Sequence, residues 1–396
     1  MPGRRYRRIV CAMTPLTEST DRVARLHAFR VRVLRAPVSD GIAMSFAPLL
    51  RRTMVLSELE ADDGNVGVGE SWANFPEWAA VERVATLKQG VFPLLVDADA
   101  RQITSLHRSM TAALAPISRQ WGAPGPIMQA ISAVDVALWD LRGKARNTAI
   151  SWLAGGRVRN TVPVYASSLG PDNVEEQGLE CAAKAYNAVK VKLGFGRDRD
   201  EGILAAARAT CGDDIALYAD ANQAWDLPQA LAMATTLRDY RVEWVEEPIR
   251  GNRLADLEIF HERSGLGVAT GENLYGRGEF WPYIASPGIQ VLQPDVAKTG
   301  GLTETFAICE LAEMHGKQVI PHLYGGAVAF AATLQLAASA PCVTAIEYDV
   351  RDNPLRDGLL LNPPYPVNGS IEIPEGPGLG LELDPVALDK YSEDDL

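Results

Sequence analysis

The chain has 396 residues, 47% apolar and 22% charged, with a formal net charge of −12. This is the balance of a soluble globular protein, and its negative charge argues against nucleic acid or an anionic membrane as partner. No apolar window reaches transmembrane length, and five scattered cysteines without a Cys-x-x-Cys read as reduced thiols of a cytoplasmic protein.

Met1–Arg8 carry four arginines, and the apolar run Ile9–Met13 that follows is too short for a signal peptide. A solvated tail is expected there. Residues 25–60 read as the start of an antiparallel sheet. Leu26–Val33 partly alternates apolar and polar residues, and Thr53–Glu60 alternates cleanly. Asp62-Asp63-Gly64 signals a turn, and Val66–Glu70 resumes a strand. Residues 38–50, with Gly41, Ser45 and Phe46, are either a mobile lid over a substrate or a plain hairpin connection.

Residues 76–117 have helical periodicity, with Pro93 and Pro116 as breaks. The strongest helix signal of the front half runs from Ile127 to Ala145, with Pro126 in its first turn. Ile127, Ile131, Val134, Leu138 and Leu141 recur on one face, and Asp135 and Asp140 read as structural. Gly155-Gly156 marks a boundary.

From Thr161 the pattern changes. Short apolar runs end in a polar residue again and again, at Lys192, Asp220, Glu246, Glu272, Asp295, His322 and Glu347. Successive end points lie 23 to 28 residues apart, room for one buried strand and one crossover helix. With Thr161–Tyr165 as a first run, the period predicts an eight-stranded (β/α) barrel, whose strand ends open on one face. Asp226 and Pro228 suit the start of a helix, and His315-Gly316 the end of another. Residues 360–396 are rich in Pro and Gly and are expected to run back over the first domain.

Asp220, Glu246 and Glu272 end three consecutive strands. Three carboxylates at one mouth repel one another unless a cation sits among them, and oxygen-only donors suit a hard ion, Mg²⁺ first and Mn²⁺ next. Lys190 and Lys192 share a strand face and should lower each other's pKa, so that one serves as a general base. Asp295 beside His322 would set its tautomer and raise its basicity. Lys192 and His322 would then flank the two faces of a substrate. Asn222 would bond to substrate or ligand if strand geometry persists past Asp220, whereas Glu247 should point elsewhere, as a support or a salt-bridge former. Glu347, if protonated, would donate to a substrate carboxylate. The turn at Lys298 serves an anion or simple chain reversal. Phe46 and Tyr324 near the mouth would suit an apolar group; Arg51, Arg52 and Asn273 would suit a polyol acid.

The ordered set of motifs resembles the mandelate racemase branch of the enolase superfamily. It comprises Ala133–Lys144, Lys190-Val191-Lys192, Asp220-Ala221-Asn222, Trp244–Pro248, Gly271-Glu272, Gln293–Gly301 and Pro321-His322. The resemblance implies an N-terminal α+β capping domain (1–156), a modified (β/α)7β barrel (157–355) and a C-terminal segment (356–396) that rejoins the cap. It implies Asp220, Glu246 and Glu272 as Mg²⁺ ligands, with Lys192 and the Asp295–His322 dyad as the two acid/bases. Glu347 matches the acid that stabilises the substrate carboxylate. The implied shared step is removal of the proton α to a carboxylate, through an enediolate. Dehydration of an acid sugar to a 2-keto-3-deoxy acid is the expected outcome, with racemisation or epimerisation of a 2-hydroxy acid as the alternative. A homo-oligomer is expected on the resemblance alone.

Overall fold

The computed structural model describes residues 24–393; the arginine-rich tail and Cys11 lie outside them. The front half begins with three antiparallel strands, β1 (Leu26–Ala43), β2 (Pro48–Ala61) and β3 (Val66–Trp72). Val33 pairs with Val55, and Leu56 with Glu70. The segment 38–50 is the far end of the β1–β2 hairpin, closed by a bond from the Met44 amide to the Ala47 carbonyl at 3.1 Å.

Helices α1 (Ala79–Ala85), α2 (Ile103–Trp121) and α3 (Pro124–Ala145) cover this sheet. Pro93 lies in a short 3-10 turn, Phe92–Leu94. Pro116 does not end its helix as expected: α2 runs through it, and burial of Ile103, Met110 and Leu114 along one face holds the turn against one missing hydrogen bond. Helix α3 starts two residues before Pro126, at Pro124. It lies directly on β3. A Cβ at Gly69 would sit 1.7 Å from the Ala133 carbonyl oxygen, so only glycine permits this approach. Gly69→Ala is therefore expected to destabilise the fold by about 3 kcal/mol, read as a lower denaturation midpoint; an unchanged midpoint would contradict this packing. Asp140 accepts from the Val68 and Leu379 amides at 2.9 Å each, and Asp135 from the Thr303 amide at 2.8 Å, both structural roles. A single turn, α4 (Ile150–Leu153), precedes the barrel.

Eight parallel strands follow: β4 (Thr161–Leu169), β5 (Ala188–Lys192), β6 (Ala216–Asp220), β7 (Val242–Glu246), β8 (Gly267–Thr270), β9 (Val291–Leu292), β10 (Gln318–Val319) and β11 (Ile346–Asp349). Each of the first seven is followed by a helix: α5 (Val174–Ala183), α6 (Arg197–Cys211), α7 (Leu227–Asp239), α8 (Leu254–Ser264), α9 (Gly276–Ala285), α10 (Gly301–Met314) and α11 (Ala327–Ser339). Asp226 caps α7 in a reciprocal box with Gln229, with Pro228 in the first turn. The strands pair in sequence order, and β11 pairs with β4. The ring closes where the Val319 amide bonds to the Cys342 carbonyl at 3.0 Å and the Thr344 amide to the Val319 carbonyl at 3.2 Å. This is the (β/α)7β barrel.

The last segment returns to both units. Strand β12 (Ser370–Glu372) pairs with β4. Helix α12 (Pro385–Tyr391) leads into β13 (Ser392–Glu393), which pairs with β1 at Leu34 and Val33 and completes a four-stranded cap sheet. Among the described residues no helix is long and apolar enough to cross a membrane, and the four cysteines there are free thiols.

Candidate active site

The barrel interior is filled in layers. Tyr165, Ala188, Trp244, Ala269, Val291 and Ile320 form an apolar cluster joined by Tyr218 and Ala345. Tyr218 stacks on Trp244 with centroids 4.1 Å apart. Side chains of a strand alternate faces, so residues two steps further point inward one level higher. Those residues are Lys190, Asp220, Glu246, Gln293, His322 and Glu347. The polar floor of the site is thus the next storey above an aromatic plug.

Within this floor Lys190 is fully buried. Its Nζ lies 2.6 Å from Glu246 Oε2 and 2.8 Å from Glu347 Oε1, and 5.5 Å from the Tyr165 ring centre. Gln293 Nε2 donates to Glu246 Oε2 at 2.6 Å. Lys192 Nζ lies 2.5 Å from Asp220 Oδ2 and 3.3 Å from Asn222 Oδ1. His322 joins two acids, Nδ1 to Asp295 Oδ2 at 2.6 Å and Nε2 to Glu272 Oε2 at 2.7 Å.

These contacts correct several expectations. Lys190 was a candidate beside Lys192 for catalysis and substrate binding on the same strand face; it lies beneath the mouth, anchoring two carboxylates. Lys190 does lower the pKa of Lys192, as expected, but the neighbouring carboxylates outweigh this and the net shift of both lysines is upward. Burial opposes their charge, but Glu246 and Glu347 lift Lys190 well above its ordinary value, and Asp220 outweighs burial at Lys192 to raise it. Glu347 is the second residue of β11 rather than its end. It is also not a protonated donor: burial pushes it up, but Lys190, His322 and Lys192 outweigh this and bring it down to about 2. Its oxygens accept from Ser167 Oγ and, at 3.0 Å, from the Leu323 amide. Burial alone would lower His322, yet Glu272 and Asp295 raise it to about 10. Strand geometry does not persist past Asp220. Asn222 adopts a left-handed backbone (φ +43°), and so does Glu247 after Glu246 (φ +38°). Glu247 is the support expected of it, accepting from Gln223, Asn252 and Asn273, but it also faces the cavity.

Above the floor, a cavity of about 590 Å³ opens between barrel and cap. Lys192, Asn222, Glu272, Lys298, His322, Tyr324, Glu347 and the cap residue Phe46 all line it. Phe46 packs edge-on to Phe75 with centroids 5.1 Å apart. Lys298 donates to Asn273 Oδ1 at 3.2 Å and sits 4.7 Å from the Trp72 ring centre. Asn273 lines the wall; Arg51 and Arg52 do not. Asp220, Glu246 and Asp295 are buried and do not line it. The sequence reading missed Arg83 and Gln129 from the cap and Tyr275 from the loop after β8.

The three carboxylates proposed as metal donors are folded onto Lys192, Lys190 and His322. Among the described residues no three acidic, His or Cys side chains, as placed, are arranged to hold an ion. The donor set nevertheless suits a hard divalent cation. Burial and then the neighbouring Asp220 push Glu246 up to about 7, a crowding of negative charge that such an ion would relieve.

Residues 27–155 match the family described as mandelate racemase / muconate lactonizing enzyme, N-terminal domain, and residues 173–387 match the enolase C-terminal domain-like family. The chain belongs to the mandelate racemase/muconate lactonizing enzyme branch of the enolase superfamily. Members of this superfamily are enzymes. The chain is 34% identical over 382 residues to the D-galactarolactone cycloisomerase of Agrobacterium fabrum, covering 93% of this chain and 98% of that protein. It is 30% identical over 346 residues to the arabinonate dehydratase of Saccharolobus solfataricus, covering 85% and 90%. A racemase from Streptomyces coelicolor A3(2), solved with bound magnesium, superposes with a TM-score of 0.84 at 26% identity, covering 93% and 100%.

Proposed function

We propose that this enzyme removes the α-proton of an acid-sugar carboxylate and expels the oxygen on the next carbon, so that a hydroxyl leaves as water. The product is then a 2-keto-3-deoxy acid. The observation that carries this reading is that Lys192 and His322, from separate arcs of the ring, line one cavity. One group can take the Cα proton while the other gives a proton to the departing oxygen. Asp295 holds the His322 ring by Nδ1, which leaves Nε2 for the substrate once Glu272 turns away. Lys190 and Gln293 hold Glu246 in place from below.

Asp220, Glu246 and Glu272 would hold a divalent cation, Mg²⁺ first, which when bound offsets the negative charge that builds on the substrate carboxylate as the proton leaves. Lys192 and His322 would then be freed from Asp220 and Glu272 to face the substrate.

A second reading follows from the cycloisomerase relative. If the departing oxygen belongs to a lactone ring, the same bond cleavage opens the ring and the product is an isomer, with no water released. The test is a panel of acid sugars and their lactones, followed for solvent deuterium at Cα, 2-keto-acid formation and optical rotation. Keto acid from open-chain acids supports dehydration; turnover of lactones alone supports ring opening; optical change without keto acid points to racemisation. His322→Asn is expected to abolish keto-acid formation about 10³-fold while leaving measurable deuterium exchange through Lys192. Equal loss of both signals would place His322, not Lys192, as the base.

A further inference from the structure

Glu70 is a buried carboxylate that the mechanism leaves unused. It lies on β3, is 2% exposed, and is not among the residues that line the cavity. Its oxygens accept from the Gly326 amide at 2.6 Å and the Ala329 amide at 2.8 Å, at the start of α11. The first amides of a helix need acceptors, usually supplied by a side chain just before them. The residue before α11 is Gly326, which has no side chain to offer. The acceptor comes instead from the cap, 256 residues earlier in the chain. Glycine makes this approach possible: a Cβ at Gly325 would sit 2.8 Å from Glu70 Oε1.

Two neighbours of Glu70 act on the same region. Strand β3 is an edge of the cap sheet, so some of its amides have no strand partner. The Trp72 amide donates to the Ala297 carbonyl at 3.3 Å, and the Ala297 amide donates to Asp295 Oδ1 at 2.7 Å. Asn74 Nδ2 donates to the Tyr324 carbonyl at 2.8 Å, while its Oδ1 accepts from the Thr53 amide at 2.9 Å. One stretch of the cap thus grips the chain just after Asp295 and just after His322. Strand β10 ends at Val319, so His322 stands past the sheet that would otherwise hold it. Lys192 is different, because it still belongs to its strand β5. We propose that Glu70, with Asn74, positions the Asp295–His322 dyad. It fixes the loop 322–326 through the start of α11 and keeps the imidazole where it protonates the departing oxygen. The cap then governs the His322 half of the reaction and leaves the Lys192 half to the barrel. The proposal rests on the roles given to His322 and Lys192 above.

The experiment compares the full-length wild type with Glu70→Gln, Asn74→Ala and a control, Arg208→Met, all with Mg²⁺. Arg208 bonds to the Tyr240 and Ile215 carbonyls just before β7 and β6 begin, at the end of the barrel opposite its mouth. Two rates are read on one acid sugar, α-proton exchange with solvent deuterium and 2-keto-acid formation. Glu70→Gln keeps the shape but turns an N–H donor towards amides that need an acceptor. It is expected to lower kcat for the keto acid about 10²-fold, the scale of a misplaced catalytic group, with KM and α-proton exchange nearly unchanged. Asn74→Ala should act in the same direction, by about tenfold. Arg208→Met should lower the denaturation midpoint without moving the ratio of the two rates. Equal loss of both rates in Glu70→Gln, or a shifted ratio in Arg208→Met, would make Glu70 merely structural and overturn the proposal. Crystal structures of the variants read the placement without substrate. The His322 ring is expected to be displaced, or spread over two orientations, in Glu70→Gln and Asn74→Ala; a ring bonded to Asp295 as in the wild type overturns the proposal. Should Glu70→Gln fail to fold, Asn74→Ala carries both readouts. If no acid sugar reacts, or His322→Asn loses exchange and keto acid alike, the reading of the reaction fails, and the crystal structures still decide the positioning.

Discussion

Replacing Lys192 with methionine is expected to lower α-proton exchange by about 10³-fold or more, the usual scale for loss of a general base. The folded state should survive. Asp220 keeps the Asn222 amide at 2.8 Å and Lys190 at 3.9 Å, so its carboxylate is not left alone. Lys192→Arg sharpens the test. Arginine retains the positive charge beside Asp220 but does not give up its proton near neutral pH. If Lys192 serves only to hold Asp220, Lys192→Arg will retain much of the activity. If it carries the proton, both variants will be equally inactive while their circular dichroism and melting curves match the wild type.

The largest effect on stability is expected from Arg52. Its Nη2 meets Asp349 Oδ2 at 2.5 Å, both side chains are 2% exposed, and its Nε donates to the Asp352 carbonyl at 3.0 Å. Arg52 comes from the cap strand β2 and Asp349 ends the barrel strand β11, so this pair pins one unit to the other. Arg52→Met would strand a buried carboxylate, at a cost of about 3–5 kcal/mol. Asp349→Leu combined with Arg52→Met removes both charges and should recover most of that loss. Chemical denaturation of the three variants checks the pattern. A double variant no more stable than Arg52→Met would mean that packing of the arginine stem, including its 4.9 Å approach to the Tyr324 ring, matters more than the charge.

The barrel was legible because its strands are covered on both faces and recur at a nearly constant interval. That interval located Lys192, Asp220 and Glu246 at true strand ends. It worked less well further on: β8, β9 and β10 are short, so Glu272, Asp295 and His322 stand two or three residues past them. They still reach the site because the loops begin on the inner side of the ring. The depth of each residue was not legible. Lys190 and Lys192 look equivalent in a Lys-Val-Lys run, and only stacking above the Tyr165–Trp244 layer shows that one is floor and the other wall. The charge state of Glu347 was equally hidden, since it depends on Lys190 from a strand far away in sequence. Arg83 had a faint signal. It falls on the apolar face of α1, three and four residues from Ala80 and Ala79, where a charged residue needs a reason. Nothing local says that this face meets a barrel mouth built from chain that comes more than a hundred residues later.

The pairing of β13 with β1 sets an order of assembly during synthesis. Leu34 emerges from the ribosome long before Ser392, its neighbour in the sheet. The eight-stranded ring can close using residues up to Asp349, whereas the cap sheet waits for the last of its strands. A nascent chain stalled shortly after the ring is complete would therefore carry a finished polar floor beneath a roof one strand short.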